Sequence, residues 1–95
     1  MKCESLKFSR HAFERMFLRG IAPDAVARVV ADGEIIAEYP DDQPFPSSLV
    51  LGFDAGLAVH IVVARDENNG ECHIITVYRP DPALWDETFR FRIKP

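Results

Sequence analysis

The chain lacks the features of a helical membrane protein or an exported one. Among its 95 residues no apolar run approaches the roughly 18 residues that a membrane-spanning helix needs. The first residues, Met1–Ser5, lack the apolar stretch of a secretory signal. Since the length suits one modest hydrophobic core, we expect residues 1–95 to form a single cytoplasmic domain.

Cysteine is scarce, and histidine occurs at no ligand spacing. Cys3 and Cys72 have no CxxC neighbour and no histidine at zinc-finger spacing, so we expect buried, reduced thiols rather than a disulfide. The three histidines form none of the HxH, HxxxH or HExxH patterns typical of metal ligands. The sequence therefore predicts neither a metal site nor a cofactor.

Positive charge lies at the two ends of the chain, although the net charge is -4. Residues 1–20 carry +3, residues 21–78 carry -8 and residues 79–95 carry +1. If the fold joins the two ends, a local basic patch can bind phosphate on an otherwise acidic protein. The alternative is a solvated helix face and a tail in water.

Two helices are predicted at the start of the chain, as a helical hairpin. The first is capped by Ser9 and ends at Arg19, and the second begins at Pro23 and ends before Gly33. A brief strand around Leu6 can precede them. The predicted buried residues are Ala12, Phe13, Met16 and Phe17 on the first helix and Val26, Val29 and Val30 on the second.

The rest of the chain has the two-residue periodicity of strands. The predicted strands are Glu34–Tyr39, Leu49–Phe53, Leu57–Arg65 and Glu71–Tyr78. Packing both helices on one face of a twisted, four-stranded antiparallel sheet would bury their apolar stripes. The expected fold class is therefore α+β.

The pairing of the last two strands decides which polar side chains meet. If the loop pairs Arg65 with Glu71, His60 faces Thr76, and Tyr78 lies on the same side. Thr76 or Tyr78 would then bond the ring of His60, and a slip of one residue would remove this cluster. The alternative is a core histidine with satisfied hydrogen bonds and no catalytic role.

His11 and Arg15 lie one turn apart on the first predicted helix. An imidazole that carries a proton near neutral pH, beside a guanidinium that binds phosphate, is typical of metal-free phosphodiester chemistry. The alternative is a histidine bonded to a backbone carbonyl and an arginine paired with a surface acid.

The C-terminal segment adds a phenol and several cations that suit an RNA strand. In an extended tail, Arg90 and Arg92 would share one side, and Phe89 and Phe91 would share the other. The alternative is that the phenylalanines anchor a terminal strand and the arginines simply face water. Trp85 is expected to plug the core. The candidate residues here are Tyr78, Arg79, Arg90, Arg92 and Lys94.

A set of motifs spread along the chain has the pattern of one known family. The motifs are Phe8–Ala12 with Arg15 and Met16, Arg19–Ile21, Gly33–Ile36 with Tyr39 and Pro40, His60–Ala64, and Ile75–Tyr78 with Pro80, Asp81, Pro82 and Trp85. In these motifs the chain resembles the bacterial family known as domain of unknown function 4258, over nearly its whole length. That family is similar to the small α+β toxins that include the RelE-like messenger RNA interferases and the wider barnase, EndoU, colicin and RelE ribonuclease group.

The resemblance implies an endoribonuclease toxin with RNA as substrate. It also implies a cognate antitoxin as partner, often a zinc-ribbon and helix-turn-helix protein. By position, the resemblance implies a site formed by His11, Arg15, His60, Thr76 and Tyr78.

In the expected reaction the ribose 2'-hydroxyl attacks the adjacent phosphate and leaves a cyclic phosphate end. His11 would be the general base or acid, and His60 or Tyr78 the complementary proton carrier. Arg15, with Arg79 or Arg90, would stabilise charge on the phosphorane.

Two other classes of function remain open at this point. The first is a non-catalytic module that binds a protein partner through its sheet edge or acidic loop. The second is a small-ligand binder that uses the same pocket. Convergence of the basic ends on the histidine pair would favour the nuclease, and dispersal would favour the module.

Overall fold

A five-stranded mixed sheet forms the centre of the protein in a computed structural model that describes residues 1–93. The strands are β1 (Ser5–Phe8), β2 (Glu34–Tyr39), β3 (Ser47–Asp54), β4 (Leu57–Arg65) and β5 (Glu71–Tyr78), in the spatial order β1-β5-β4-β3-β2. The α+β class is confirmed. The prediction of four antiparallel strands is wrong, because the segment around Leu6 joins the edge as a fifth strand, parallel to β5.

Both helices have the predicted bounds, α1 at Arg10–Arg19 and α2 at Pro23–Asp32. The Ser9 hydroxyl accepts the Ala12 amide at 3.0 Å, which satisfies one free donor of the first turn of α1. Gly20 ends α1 in the left-handed region, with φ 64°. The predicted hairpin is not matched in detail, because α1 packs chiefly on β5 and α2 on β3 and β4 rather than on each other.

The hydrophobic core lies between the helices and one face of the sheet. Gly52 allows α2 to approach β3 closely, since a Cβ there would lie 2.6 Å from a methyl carbon of Val29. The core residues include Ala12, Met16, Val26, Val29 and Val30 from the helices and Val59, Ile61, Val63, Cys72, Ile74 and Val77 from the sheet.

Of the four residues predicted to be buried on α1, two are buried and two are exposed. Ala12 and Met16 are buried, but Phe13 is 51% and Phe17 is 87% exposed. Because α1 contacts mainly the single strand β5, only a narrow side of the helix is covered. The buried stripe predicted for α2 is confirmed.

The pairing of β4 with β5 is shifted from the predicted register at two places, by one residue at the turn and by one more at a bulge. Asp66 and Glu71 close the turn through a 2.9 Å backbone hydrogen bond, so Arg65 pairs with Cys72 rather than with Glu71. A β-bulge then leaves Ile75 without a partner.

Beyond the bulge His60 pairs with Tyr78, and Val62 pairs with Thr76, so the predicted pairing of His60 with Thr76 is wrong. Because the shift at the turn and the shift at the bulge add up to two residues, each side chain of β5 beyond the bulge lies on the face predicted for it. His60, Thr76 and Tyr78 therefore still share one face of the sheet.

Cys3 and Cys72 form a disulfide, with Cα atoms 5.6 Å apart. The prediction of reduced thiols is therefore wrong. Parallel pairing of β1 with β5 carries the N-terminal arm to Cys72, and no local pattern along the chain predicts that pairing.

Residues 80–93 fold over the face of the sheet opposite the helices. Trp85 is 8% exposed and lies against His60, so it is buried as predicted, although outside the core cluster between the helices and the sheet. The extended tail is not observed, because Trp85 and Arg92 form a bridge around a turn in which Phe89 has φ 60°. Lys94, part of the predicted basic run, lies outside the described residues.

Candidate functional site

The start of α1 is tied to β5, and this places His11. The Ser9 amide donates to the carbonyl of Ile74 at 3.2 Å, and the Ser9 hydroxyl donates to the carbonyl of Ile75 at 3.1 Å. Two residues further on, His11 Nε2 lies 3.1 Å from Thr76 Oγ1. Two predicted site residues that are 65 positions apart are thus in direct contact, with His11 exposed to solvent.

His60 is fully buried, and both of its ring nitrogens are hydrogen-bonded. Nε2 lies 2.8 Å from the carbonyl oxygen of Phe89, and Nδ1 lies 3.1 Å from the Tyr78 hydroxyl. Because a carbonyl only accepts, Nε2 carries the hydrogen and donates it, and the Tyr78 hydroxyl donates to Nδ1. Burial lowers the pKa of His60 and raises the pKa of Tyr78, so both groups are neutral.

The predicted cluster therefore divides into two pairs, which use Thr76 and Tyr78 from the same face of β5. Thr76 bonds His11 instead of orienting His60, and Tyr78 takes the place beside His60. The ring of Trp85 stands perpendicular to that of His60, with centroids 4.5 Å apart, and covers it. His60 and His11 do not open onto one shared hollow, although Thr76 and Tyr78 are only two residues apart along β5.

The arginines of the C-terminal segment already interact with other side chains of the protein. Arg79 pairs with Asp54 at 3.5 Å, and Arg90 forms a forked pair with Glu34 at 2.7 to 3.0 Å. The hydrogen bonds from Arg90 hold the pKa of Glu34 below its ordinary value. The guanidinium of Arg92 lies 5.7 Å above the ring of Trp85. These residues do not converge on His11.

The cations nearest to His11 in sequence belong to its own helix. His11, Arg15 and Arg19 are spaced by four residues and so follow one flank of α1. Both arginines are exposed, and neither forms an ion pair within residues 1–93. Arg19 was not among the predicted binding residues, although its spacing from Arg15 repeats that of Arg15 from His11.

Within the described residues, no three His, Cys, Asp or Glu side chains cluster as metal ligands would. In the same part of the chain, no helix has the length and apolar character needed to cross a bilayer. α1 and α2 have 10 residues each.

The fold and the site define a small α+β protein in which a helix places an exposed histidine on the end of a central strand. The chain belongs to the family described as domain of unknown function DUF4258, whose model matches residues 8–79. The match spans His11, Arg15, His60, Thr76, Tyr78 and Arg79 and ends before Arg90 and Arg92. No curated protein and no solved structure matches the chain significantly.

Proposed function

We propose that the protein is a metal-independent endoribonuclease of the messenger RNA interferase type, with His11 as its proton-transfer group. The observation that carries this proposal is the hydrogen bond between exposed His11 and Thr76, on the flank of α1 that also carries Arg15 and Arg19, two exposed cations with no ion pair among residues 1–93. The proposed reaction needs no metal ion, since an imidazole supplies the proton transfer and guanidinium groups stabilise the developing charge.

In the proposal Thr76 determines which nitrogen of His11 acts as the base. Nε2–H donates to Thr76 Oγ1, which leaves the lone pair of Nδ1 to take a proton. Thr76 thus acts as a positioning residue.

In the proposed reaction Nδ1 takes the proton of a ribose 2'-hydroxyl, and the 2'-oxygen attacks the adjacent phosphorus. The bond from phosphorus to the 5'-oxygen breaks, and the leaving oxygen takes a proton from water. The products are a 2',3'-cyclic phosphate and a free 5'-hydroxyl. General base catalysis of this kind contributes about 10²- to 10⁴-fold.

Arg15 and Arg19 are the proposed phosphate contacts. A guanidinium binds phosphate oxygens in a forked geometry and stabilises the charge that develops on the phosphorane. The predicted roles of Arg79 and Arg90 at the phosphate would require them to leave Asp54 and Glu34. We therefore assign the phosphate contacts to Arg15 and Arg19 of α1.

The direct test is cleavage of a single-stranded RNA oligonucleotide in the presence of EDTA. We expect RNA to be cut to products with cyclic phosphate ends, while the same sequence made of DNA stays intact. His11→Ala should lose at least about 100-fold in rate and should no longer inhibit bacterial growth, with an unchanged melting temperature. Cleavage of RNA and DNA alike, or RNA that stays intact both as a free oligonucleotide and as a translated message, would refute the proposal.

The proposed partner is an antitoxin of the zinc-ribbon and helix-turn-helix kind, as the family resemblance implies. Co-expression of the neighbouring gene should restore growth to cells that produce the protein. The ribosome is a proposed participant only if purified protein cuts translated messages and spares free RNA.

A second candidate function is a non-catalytic module that binds another protein. The observation that favours it is the dispersal of the C-terminal arginines into ion pairs with Glu34 and Asp54. In that case growth and bulk RNA would be unaffected by expression of the native protein, and the His11→Ala variant would behave identically.

A further inference from the structure

Two aromatic rings are stacked on each other at one end of the sheet. The ring of Phe45, in the loop between β2 and β3, lies 5.3 Å from the ring of His73 and is inclined to it by only 19°. Pro44 has a fixed φ, and Pro46 restricts the backbone of the residue before it, so the loop holds Phe45 in a narrow range of conformations. Glu71 holds the other ring, since its carboxylate lies 3.2 Å from His73 Nε2.

A hollow of about 430 Å³ lies beside these two rings, where β1 leads into α1. This volume lies within the range of pockets that hold small ligands. We call it the edge hollow, and its wall includes Lys7, Ser9, Phe45, Ala64, His73 and Ile75.

The pairing of β4 with β5 places the edge hollow on the same face of the sheet as Thr76. Ala64, which lines the hollow, pairs with His73, and Val62 pairs with Thr76. Residues two apart along a strand share a face and lie about 7 Å apart, so the side chains of His73 and Thr76 leave the sheet on one side at that spacing. Because Thr76 bonds His11 at 3.1 Å, the hollow and the imidazole are neighbours.

Two residues of the wall adjoin the proposed reaction site directly. Ser9 precedes His11 by two positions, and Ile75 is next to Thr76. The Ser9 hydroxyl donates to the carbonyl of Ile75 at 3.1 Å, so the same contact that places His11 also shapes the hollow. A ligand in the edge hollow therefore lies beside the imidazole without crossing the sheet.

The chemistry of the wall indicates the kind of ligand. Bases of single-stranded RNA bind proteins by stacking on aromatic and histidine rings, and Phe45 and His73 supply such rings. Lys7 pairs with His73 across β1 and β5, is 65% exposed and lies 3.6 Å from Glu71, which is not part of the wall. Since an exposed ion pair of this kind contributes little, its ammonium is available to a phosphate. Flat rings with a cation at the rim fit a nucleotide better than an uncharged apolar ligand.

We infer that the edge hollow is the base-binding subsite of the proposed endoribonuclease. Phe45 and His73 stack on a base of the RNA strand next to the phosphate at His11, and Lys7 contacts the backbone of that strand. The inference rests on the proposed function. It makes Phe45 a substrate-binding residue that contributes to RNA affinity and transfers no proton.

The test measures binding of an RNA analogue that cannot be cut. A fluorescein-labelled 2'-O-methyl RNA of about six residues, containing all four bases, has no free 2'-hydroxyl to attack the phosphate. An abasic chain of the same length and sugar chemistry keeps the phosphates alone. Fluorescence anisotropy with the full chain should show the RNA analogue binding at least about tenfold more tightly than the abasic chain, because a stacked base contributes roughly five- to 150-fold in affinity.

Variants at Phe45 separate stacking from apolar contact. Phe45→Leu keeps an apolar side chain without a ring, so it should weaken the RNA analogue about fivefold and leave the abasic chain unchanged. Phe45→Trp keeps a ring and should bind at least as tightly as the native protein. Phe53→Leu makes the same change at an exposed phenylalanine of β3 that lines a different hollow, and it should have no effect. Circular dichroism of each variant establishes that the fold is retained.

The cation at the rim has a different expected signature. Lys7→Gln should weaken the RNA analogue and the abasic chain by the same factor and should lower the salt dependence of both, because a phosphate contact does not depend on the base.

Several outcomes would overturn the inference. Equal affinity for the two chains, no binding of either, or an affinity for the RNA analogue that Phe45→Leu leaves unchanged would each do so. If RNA is cut but Phe45→Leu changes nothing, the subsite alone fails. If RNA stays intact but the analogue binds through Phe45, the endoribonuclease proposal fails and the edge hollow stands as an RNA-binding site.

Discussion

His11 and His60 are alike in the sequence and opposite in the structure. Each is a lone histidine in a regular element with no metal-ligand spacing, but His11 is exposed at the start of α1, whereas His60 is sealed inside β4. What separates them is Trp85 and Phe89, more than 20 residues beyond His60, which cover one ring and leave the other open. The chemistry available to a histidine is thus decided by distant chain segments.

The largest expected effect tests this contrast through stability. His60→Ala removes a fully buried ring and leaves the Tyr78 hydroxyl and the Phe89 carbonyl without their partner, so we expect a loss of about 4 kcal/mol in unfolding free energy. His11→Ala should change it by less than about 0.5 kcal/mol. Urea denaturation monitored by Trp85 fluorescence measures both, and similar losses would contradict the contrast.

The next effect concerns how the two ends of the chain are held. The disulfide between Cys3 and Cys72 fastens the N-terminal arm covalently, whereas the described contacts of residues 80–93 with the sheet are non-covalent. Because the bond closes a loop across 69 positions, reduction should cost about 2–4 kcal/mol. A thiol titration of the unfolded, unreduced protein should find no free cysteine. Two free thiols, or a melting temperature unaffected by reductant, would show that the bond does not form.

The pH dependence of stability tests the burial of His60. The pKa of folded His60 is lowered by burial, so the unfolded chain binds more protons as the pH falls below about 6.5. Stability should therefore be full above that pH and decrease on acidification toward the lowered pKa. Urea midpoints at pH 7.5 and 5.5 test this. His60→Gln should reduce the difference between them, and a difference that His60→Gln leaves unchanged would assign the acid sensitivity to other groups.

The smallest expected effect is on RNA affinity, and it distinguishes the arginines of α1 from those of the C-terminal segment. Arg15→Ala should weaken RNA binding by about 1 kcal/mol, roughly fivefold, and reduce its salt dependence. Arg90→Ala should leave RNA affinity close to that of the native protein, because its guanidinium is already bound to Glu34. Affinities measured between 50 and 200 mM salt decide this, and a larger loss for Arg90→Ala would restore the C-terminal segment to the RNA surface.

Local signals predicted the helices and three of the five strands with their bounds. Ser9, Gly20, Pro23 and Gly33 mark the helix ends through capping and backbone preferences that act within a few residues. Three strands alternate apolar and polar residues clearly enough to be recognised from their own sequence, namely Glu34–Tyr39, Leu57–Arg65 and Glu71–Tyr78. β3 extends two residues earlier and one later than predicted, because pairing with β2 and β4 continues past the apolar run.

Long-range features could not be predicted in the same way. The parallel pairing of β1, the disulfide and the bulge at Ile75 depend on contacts between distant segments. For the candidate site, the sequence supplied the residues of both pairs and named Tyr78 as one of two possible partners of His60, but it did not predict the contact between Thr76 and His11. The exposure of Phe13 and Phe17 was missed because periodicity shows that a helix has an apolar side but not how wide a surface covers it.

The central claim is that exposed His11, and not buried His60, carries the proposed chemistry. The most direct measurement compares the RNA cleavage rates of His11→Ala and His60→Gln at a temperature where both variants are folded. We expect His11→Ala to lose at least about 100-fold and His60→Gln to stay within about fivefold of the native rate. The opposite order, with cleavage retained by His11→Ala and lost by His60→Gln, would contradict the account.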